Sequence, residues 1–507
     1  MGTVMNEDRV IHNLVLQQMA PWLGTAISRA FCEEIYQTLN LTVRSIFLYR
    51  IKDGEITLLE KPGYRMLGEL QDSRKPEPEG KIVFREEYIR ATMYRDFLAR
   101  VLDHSPVICD MLIAIDVNDA PIDHAPAPVL AFQKRAGSNL VLLPDVDFLH
   151  ANFYIPPQFV DETPYESKLM RAVFAGSTTG GRTITANDVR VLAIPRLRAA
   201  VFFKGSRHVD FRLPRIVQCE SDDVVAMVAA LGVGGEPMSW QDQFQYRFIL
   251  SMDGNGATCS RVAIGLLSRA ALAKYESQFQ LYYFAALTPW RHYIPIVQDE
   301  DVEHIVEEEQ RRPMTFAPVA EEGATFARRY LGRMGNRDYM LDLIMRLQAV
   351  SSEVVVPRLD PREQAAEADP ALIEIGAHVQ NIGDVWGWPG EWLGKIGSGL
   401  AIEAIAVVPT GIPRDSLAYR VVLRDGTSSN FSEFGAFCGT RGRDWPLRGF
   451  EVQLRGEARD KLTCTYSGRF TDGTQVGPLA AGELCQAPSG ATLEGFQINV
   501  RMRSADA

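Results

Sequence analysis

The chain has 507 residues, of which 46% are apolar and 23% charged, an ordinary globular composition for a protein of several domains. It carries 53 Lys and Arg against 64 Asp and Glu, a formal net charge of −11. This acidic balance argues against non-specific nucleic-acid binding, which needs a basic surface. No stretch approaches the roughly 18 apolar residues of a membrane-spanning helix, so we predict no transmembrane segment.

The seven cysteines are scattered and never form a C-x-x-C pair. We therefore expect neither a zinc site nor a disulfide framework, and a reducing cytoplasm is the simplest compartment. The N-terminal sequence MGTVMNEDRV has acidic residues where a secretory signal peptide has basic ones, so no signal peptide is predicted.

Residues 1–165 are predicted to form an α/β domain. FREEYIRATMYRDFLARVL has helical spacing, and MLIAIDV, PVLAFQ and NLVLLP are typical of short buried strands. In IDVNDAP, Asp116 and Asp119 either cap a turn before a proline or place a general base at the end of a strand. Asp145 and Asp147 spell the D-x-D of many metal-dependent sugar-nucleotide enzymes, but such a short pattern also arises by chance, and we expect no metal there.

Residues 166–353 are predicted to form a second α/β domain. RAVFAG is a strand that enters the turn GSTTGGRT, and TANDVRVLAIPRL follows as a helix. QYRFILS enters the turn DGNGATCSR, which leads into the helix SRVAIGLLSRAAL. YIPI is then a short strand, DVEHIVEEE and GATFARRYL are helices, and DYMLDLIMRLQAVSS is the amphipathic helix that closes the domain.

Each Gly-rich turn has two interpretations. Backbone N–H groups and the positive end of the next helix suit such turns to phosphate, and Arg182 and Arg261 could add charge-assisted contacts. Gly254 and Gly256 would let the backbone approach a ligand. Neither turn matches a Walker loop or G-x-G-x-x-G, so each alone could be a plain turn. Two of them in one α/β domain favour a nucleotide-diphosphate site at the carboxyl ends of the strands.

The segment LTPWRHYIPI packs Trp, His and Tyr between prolines beside a strand. His292 in this segment is either a hydrogen-bonded core residue or part of a sugar or base pocket. The sequence alone is compatible with both interpretations.

Residues 354–370 carry three prolines and several charges, and we interpret them as a linker. Residues 371–507 are Gly-rich with alternating patterns and are predicted to be all-β. A weak repeat of about 45 residues, centred on Ile402, Leu447 and Leu493, predicts a pseudo-threefold domain, a trefoil or prism. A Gly-rich β-sandwich is the alternative.

Together these segments resemble glycosyltransferase family 90, which includes protein O-glucosyltransferases and fungal capsule xylosyltransferases. The resemblance covers roughly residues 85–350, and its most specific part is LTPWRHYIPI with the upstream Ser-Arg pair. It implies a GT-B fold, in which two Rossmann-like domains face each other across a cleft and a final helix returns to the first. It also implies an inverting, metal-independent transfer of glucose or xylose from a UDP-sugar, with no further cofactor.

The resemblance also assigns site residues. The family's Asp-Tyr-Pro segment aligns with Asp119-Ala120-Pro121, so Asp119 is the expected general base although its aromatic neighbour is replaced. Arg261 matches the arginine that holds the diphosphate, and Arg182 is slightly offset from its counterpart. The expected contacts to the UDP-sugar are Gly176, Ser177, Arg182, Gly256, Ala257, Thr258, Cys259, Ser260, Arg261 and His292.

The C-terminal segment HVQNIGDVWGWPGEWLGKIG weakly resembles hydrophobic-W repeats. Trp386, Trp388 and Trp392 either fill a small β core or stack on the sugar rings of a glycan acceptor.

We expect a cytoplasmic enzyme of bacterial type in polysaccharide biosynthesis, free or at the inner face of a membrane, with a lectin-like C-terminal domain. The alternative is a non-catalytic carbohydrate-binding or adhesion protein. A nicotinamide-dependent epimerase is disfavoured because the G-x-G-x-x-G fingerprint is absent.

Overall fold

The computed structural model describes residues 10–23, 27–61, 85–102, 110–154, 159–257, 259–351 and 372–503. These residues form two compact units. The first contains the described parts of 1–153, 161–324 and 335–357, and the second those of 154–160, 325–334 and 358–507. The linker predicted at 354–370 lies outside the described residues.

The first unit begins with a five-stranded mixed sheet. The elements of this part of the chain are α1 (Val10–Met19), α2 (Arg29–Thr42), β1 (Ile46–Lys52), β2 (Glu55–Leu58), α3 (Arg85–Leu102), β3 (Met111–Asp116), β4 (Val129–Ala131), β5 (Lys134–Arg135), β6 (Val141–Leu142) and α4 (Val146–His150). The sheet order is β2-β1-β3-β4-β6, with β3, β4 and β6 parallel and β1 antiparallel to both neighbours. All six residues of β3 are buried, so the loop that follows it starts from a fixed point in the core.

The second sheet of the first unit is parallel throughout. The elements here are β7 (Leu169–Ser177), α5 (Ala186–Arg190), α6 (Pro195–Phe202), β8 (Val209–Arg215), α7 (Asp222–Ala230), α8 (Trp240–Gln243), β9 (Tyr246–Ser251), α9 (Cys259–Leu267), β10 (Ala271–Tyr275), β11 (Phe279–Gln280), β12 (Ile294–Ile296), α10 (Asp299–Arg311), α11 (Ala317–Tyr330) and α12 (Arg333–Ser351). The end of α11 and the start of α12, within 325–334, are counted with the second unit. The strand order is β12-β10-β9-β7-β8, and β11 pairs with β5 outside both sheets. Strand β9 is buried along its whole length, as expected for a central parallel strand covered on both faces.

This strand order creates a topological switch between β7 and β9. From β7 the chain continues to β8 on one side, whereas from β9 it continues to β10 and β12 on the other side. In open α/β sheets, ligands bind at the carboxyl ends of the strands at such a point. Both predicted Gly-rich turns lie there, since GSTTGGRT follows β7 and DGNGA follows β9.

Two predicted helices differ from the observed elements. TANDVRVLAIPRL is divided into α5 and α6, because Leu192 has a φ of +50° and Pro195 disfavours helical backbone at the residue before it. SRVAIGLLSRAAL is helical only to Leu267, and its last residues begin β10, where pairing with β9 overrides the helical pattern. The predicted closing helix is observed as α12, whose Tyr339 hydroxyl donates to the carbonyl oxygen of Leu142 in β6 at 2.6 Å.

The second unit contains three antiparallel sheets. Its elements are β13 (Ile373–Val379), β14 (Gly383–Gly387), β15 (Leu393–Gly394), β16 (Ile402–Pro409), β17 (Leu417–Val422), β18 (Cys438–Gly439), β19 (Gly449–Leu454), α13 (Ala458–Lys461), β20 (Leu462–Phe470), β21 (Gln475–Ala480), β22 (Cys485–Gln486) and β23 (Leu493–Met502). Each sheet is built on a long pair: β13 with β16, β17 with β19, and β20 with β23. Each sheet also contains one short strand that lies next to a different long pair in the sequence. β18 pairs with β16, β22 with β19 and β15 with β23.

The predicted repeat corresponds to this strand plan. Ile402, Leu447 and Leu493 lie at or just before the starts of β16, β19 and β23, and all three side chains are fully buried. They belong to one apolar cluster that the three sheets share. The second unit therefore uses one strand plan three times, with the short strands exchanged in a cycle.

Candidate active site

A cavity of about 520 Å³ lies at the carboxyl ends of β7 and β9. One side is formed by α3, the loops after β3 and β4, and the first turn of α4. The other side is formed by the end of β7, the two Gly-rich turns and the start of α9. Its volume falls in the range of roughly 300–1,000 Å³ that is usual for small-molecule sites. Asp119 and Arg261 both line it.

Arg261 reaches the cavity from the first turn of α9. Its Nη1 donates to Gln243 Oε1 at 2.9 Å, and its Nη2 donates to the carbonyl oxygen of Ala175. The guanidinium lies 4.6 Å from the ring centroid of Phe174 and 5.0 Å from that of Trp240. All four partners are neutral. Burial, together with the charge of the nearby Arg196, lowers the pKa of Arg261 to about 9, so an anion bound here would relieve an electrostatic cost.

Arg196, which the sequence analysis did not single out, joins the two Gly-rich turns. It lies at the start of α6 and is 6% exposed. Its Nη1 donates to the carbonyl oxygen of Ser177 at 3.0 Å and to Thr179 Oγ1 at 2.8 Å. Its Nε and Nη2 donate to the carbonyl oxygens of Asp253 at 3.0 Å and Met252 at 2.9 Å. One buried guanidinium, whose pKa burial lowers to about 10, therefore fixes both turns.

The glycines of the turns are required by close packing. A Cβ on Gly254 would lie 2.5 Å from Thr179 Oγ1 and 2.8 Å from Arg196 Nη2. A Cβ on Gly176 would lie 2.9 Å from the ring of Phe174. Larger residues would therefore push the turns away from the arginine that orders them.

Asp119 lies in the loop after β3. Nη1 of Arg90, on α3, donates to Asp119 Oδ1 at 2.9 Å and to the carbonyl oxygen of Val117 at 2.9 Å. This charge-assisted contact orients the carboxylate. Because the Asp119 side chain is still 45% exposed and lines the cavity, it is accessible to a substrate there.

The other candidate carboxylates have structural contacts. Asp116 is buried and accepts backbone N–H bonds from Asn118 at 3.1 Å and Ile122 at 3.0 Å. Asp145 caps α4 by accepting from the backbone N–H of Asp147 at 2.9 Å, and Asp147 itself lines the cavity. Burial raises the pKa of both Asp116 and Asp145. Within the described ranges, no three His, Cys, Asp or Glu side chains converge in a way that could hold a metal ion.

The predicted contacts to the UDP-sugar divide into two groups. Those that line the cavity are Gly176, Ser177, Gly256, Ala257, Ser260 and Arg261. Arg182 and His292 are not among the described residues that line it. Arg182 donates to both carboxylate oxygens of Asp188, at 2.5 and 2.6 Å, and His292 Nδ1 accepts from the backbone N–H of Thr288 at 3.0 Å. Thr258 lies outside the described residues, and only the backbone of Cys259 is described.

Trp386, Trp388 and Trp392 of the second unit are each half-buried. The guanidinium of Arg333 lies 4.4 Å from the ring centroid of Trp386, and that of Arg469 lies 5.3 Å from the ring centroid of Trp392. Trp388 donates its backbone N–H to Glu391 Oε2 at 2.9 Å. The rings are thus partly covered and partly accessible.

Several cavity residues were missed by the sequence analysis, among them Arg90, Gln133, Trp240 and Arg196. One available signal was electrostatic. Arg196 and Arg261 both lie in the first turn of a helix, where the helix dipole disfavours a cation. An arginine kept in such a position is a candidate for binding an anion.

Residues 81–358 of the chain, more than half of its length, match the model of Glycosyl transferase family 90. The chain belongs to glycosyl transferase family 90. The resemblance inferred from the sequence motifs is thereby confirmed, and the matched range includes every residue that lines the cavity. None of the helices in the described parts of this family 90 chain is long and apolar enough to span a bilayer.

Individual relatives are distant. Protein O-glucosyltransferase 3 from Homo sapiens is 22% identical over 264 residues, which are 48% of this chain and 47% of the relative. The Mus musculus protein of the same name is 21% identical over 261 residues, 48% of each chain. Uncharacterized protein 179R of Invertebrate iridescent virus 6 is 22% identical over 219 residues, 38% of this chain and 18% of the relative. The chain thus spans less than half the length of each of these relatives.

Proposed function

We propose that this family 90 member is an inverting, metal-independent glycosyltransferase. It moves glucose or xylose from a UDP-sugar to a hydroxyl group of a glycan or glycoconjugate. The observation that carries the proposal is the placement of Asp119 and Arg261 in the wall of one cavity, at the switch point of a parallel sheet. The names of the mammalian relatives favour glucose as the sugar.

The donor's diphosphate would lie against the second Gly-rich turn and the amino end of α9. Arg261 supplies a charge whose partners among the described residues are neutral, and the helix dipole adds to it. Pro237, Met238 and Trp240 give the same side of the cavity an apolar edge, which suits the flat uracil ring. This division between charge and apolar surface fits a nucleoside diphosphate.

The transfer itself is a single displacement. The Asp119 carboxylate takes the proton of the acceptor hydroxyl while that oxygen forms a bond to the anomeric carbon. The bond from this carbon to the phosphate oxygen of UDP breaks on the opposite face, and its electron pair leaves with UDP, so the configuration inverts. Arg261 and Arg196 stabilise the negative charge that grows on UDP, while Arg90 keeps the Asp119 carboxylate oriented.

The fold assignments belong to the same proposal. The parallel sheet, the mixed sheet and the contact of Tyr339 on α12 with Leu142 support a GT-B arrangement of the first unit. The three sheets with exchanged strands support a β-prism for the second unit. We propose that this unit is lectin-like and that Trp386, Trp388 and Trp392 contact the acceptor glycan. A cytoplasmic location stays a prediction from the cysteine usage.

The experiment is a ligand screen followed by a transfer assay with the full chain. UDP, UDP-glucose and UDP-xylose should raise the Tm, whereas GDP-mannose should not, because a ligand bound only by the folded state stabilises it. Transfer from the stabilising UDP-sugar should be unchanged in EDTA. A loss of activity that Mn²⁺ restores would contradict the metal-independent mechanism. Glycan binding without any turnover of a UDP-sugar would favour the non-catalytic alternative.

A further inference from the structure

Gln133 connects the two sides of the cavity through one side-chain amide. It follows β4 and is 2% exposed. Its Nε2 donates to the backbone carbonyl oxygen of Asp119, and its Oε1 accepts from the backbone N–H of Ala257 at 2.8 Å. Because a carbonyl only accepts and an N–H only donates, these partners determine the orientation of the amide. A glutamine is suited to this position, since its side-chain amide carries a donor group and an acceptor oxygen on the same carbon.

Gly256 shows how closely this contact is packed. A Cβ at Gly256 would lie 2.1 Å from Nε2 and 2.3 Å from Oε1 of Gln133. A larger residue would displace the amide and with it both hydrogen bonds. The glycine is therefore explained by the neighbouring glutamine as well as by room for a ligand.

Asp119 is held on two sides. Arg90 contacts its carboxylate at 2.9 Å, whereas Gln133 contacts its backbone carbonyl oxygen. Gln133 also contacts Ala257, which precedes the amino end of α9 where the diphosphate would bind. One buried side chain thus touches both the loop of the proposed base and the turn of the proposed donor site.

We infer that Gln133 is a positioning residue that couples the donor-binding turn to the placement of Asp119. This inference rests on the proposed function. A diphosphate that orders the turn at Ala257 restrains the Gln133 amide, and the amide in turn restrains the loop of Asp119. The base is then held in place when the donor is bound.

Gln133→Glu tests the amide, because glutamate has nearly the same size but does not donate at neutral pH. One carboxylate oxygen would still accept from Ala257, whereas the other would face the carbonyl oxygen of Asp119 and repel it. We expect kcat to fall by about tenfold or more, while the Kd for UDP measured by calorimetry changes by less than about threefold. Gln245→Glu, at an exposed glutamine of the same unit, is the matched control and should leave both values unchanged.

A double-mutant cycle tests the contact with Gly256. Gly256→Ala alone should lower kcat by about tenfold, because its Cβ would displace the amide. In a Gln133→Ala background the same substitution should change kcat by less than about twofold, because the clashing group is gone. Equal effects of Gly256→Ala in both backgrounds would overturn the explanation of this glycine.

Hydrogen exchange tests the coupling without turnover. In the wild type, UDP should slow amide exchange both in residues 254–257 and in the loop 117–122. In Gln133→Glu it should still protect the turn but no longer the loop. Wild-type kcat in Gln133→Glu, parallel losses of kcat and UDP affinity, or a loop that UDP never protects would each overturn the inference. A wild-type protein that binds no UDP would instead overturn the proposed function.

Discussion

The turns after β7 and β9 are alike in sequence but place their arginines differently. Helix α9 begins at Cys259, shortly after the end of β9 at Ser251, and Arg261 in its first turn lines the cavity. The connection from β7 to the five-residue helix α5 is of similar length, but Arg182 lies before the start of that helix and pairs with Asp188. It is Arg196, on the next helix, that reaches both turns. A Gly-rich turn with an arginine therefore predicts the position of the cavity better than it predicts which arginine lines it.

Helix capping explains this difference. Thr185 and Asp188 form a capping box at the start of α5, and the carboxylate of Asp188 also accepts two bonds from Arg182. Arg182 is thus held by the helix cap, with its side chain 53% exposed. Arg261 instead donates to Gln243 and to the carbonyl oxygen of Ala175. The cap of α5 thus holds Arg182 in an ion pair, whereas Arg261 lines the cavity.

The largest effect is expected from Arg196→Ala. The substitution removes the donors to the carbonyl oxygens of Ser177, Met252 and Asp253. Because these bonds are largely buried, the free energy of unfolding should fall by about 3 kcal/mol in urea denaturation. Arg196→Lys should recover only part of this loss, since an ammonium cannot match the planar guanidinium. Unchanged stability in Arg196→Ala would show that other contacts hold the turns.

Arg261→Ala should have the next largest effect. We expect the affinity for UDP, measured by calorimetry, to fall by about 10- to 100-fold, because a charge-assisted contact is lost. Arg182→Ala is the matched variant from the other turn and should change the affinity by less than about threefold, since its guanidinium pairs with Asp188. The reverse ranking would contradict the comparison of the two turns.

The smallest effect concerns the pair of Arg182 and Asp188. The guanidinium and the backbone N–H of Thr185 hold the pKa of the Asp188 carboxyl well below its usual value. Because the pKa of Asp188 is lower in the folded state than in the unfolded state, where it is about 3.9, the ionised carboxylate stabilises the fold above about pH 3.9. This stabilisation is lost as the pH falls below that value. Asp188→Asn should therefore lower the Tm at pH 7, and the difference from the wild type should shrink below about pH 4. A pH-independent difference would exclude the ion pair as its cause.

The sequence located the two turns, Asp119 and Arg261, which line the cavity, but it did not reveal the contacts that support them. The two turns, Asp119 and Arg261 lie next to recognisable strands and helices. Gln133 and Arg196 act through backbone atoms that are distant in the chain, and Gln133 and Ala257 are 124 positions apart. No local pattern contains such a contact, because it depends on how the two sheets of the first unit pack.

Secondary structure shows a similar division. Strand β8 has alternating buried and half-buried residues, a period of two that Pro214 obscured in the sequence. Ala271 and Leu272 continue the apolar pattern of α9, so the sequence predicts a helix where strand β10 begins. In the second unit, by contrast, the repeat around Ile402, Leu447 and Leu493 located the three buried strand starts, because repetition is visible without knowledge of packing.

The most direct test of the account uses Asp119→Asn, with Asp123→Asn in the same loop as the exposed control. Asparagine keeps the shape of the side chain but cannot take a proton from the acceptor. We expect the rate of sugar transfer from a UDP-sugar to fall by about 10³-fold while the Kd for UDP stays within about twofold. Transfer at the wild-type rate in Asp119→Asn would contradict the assignment of Asp119 as the general base.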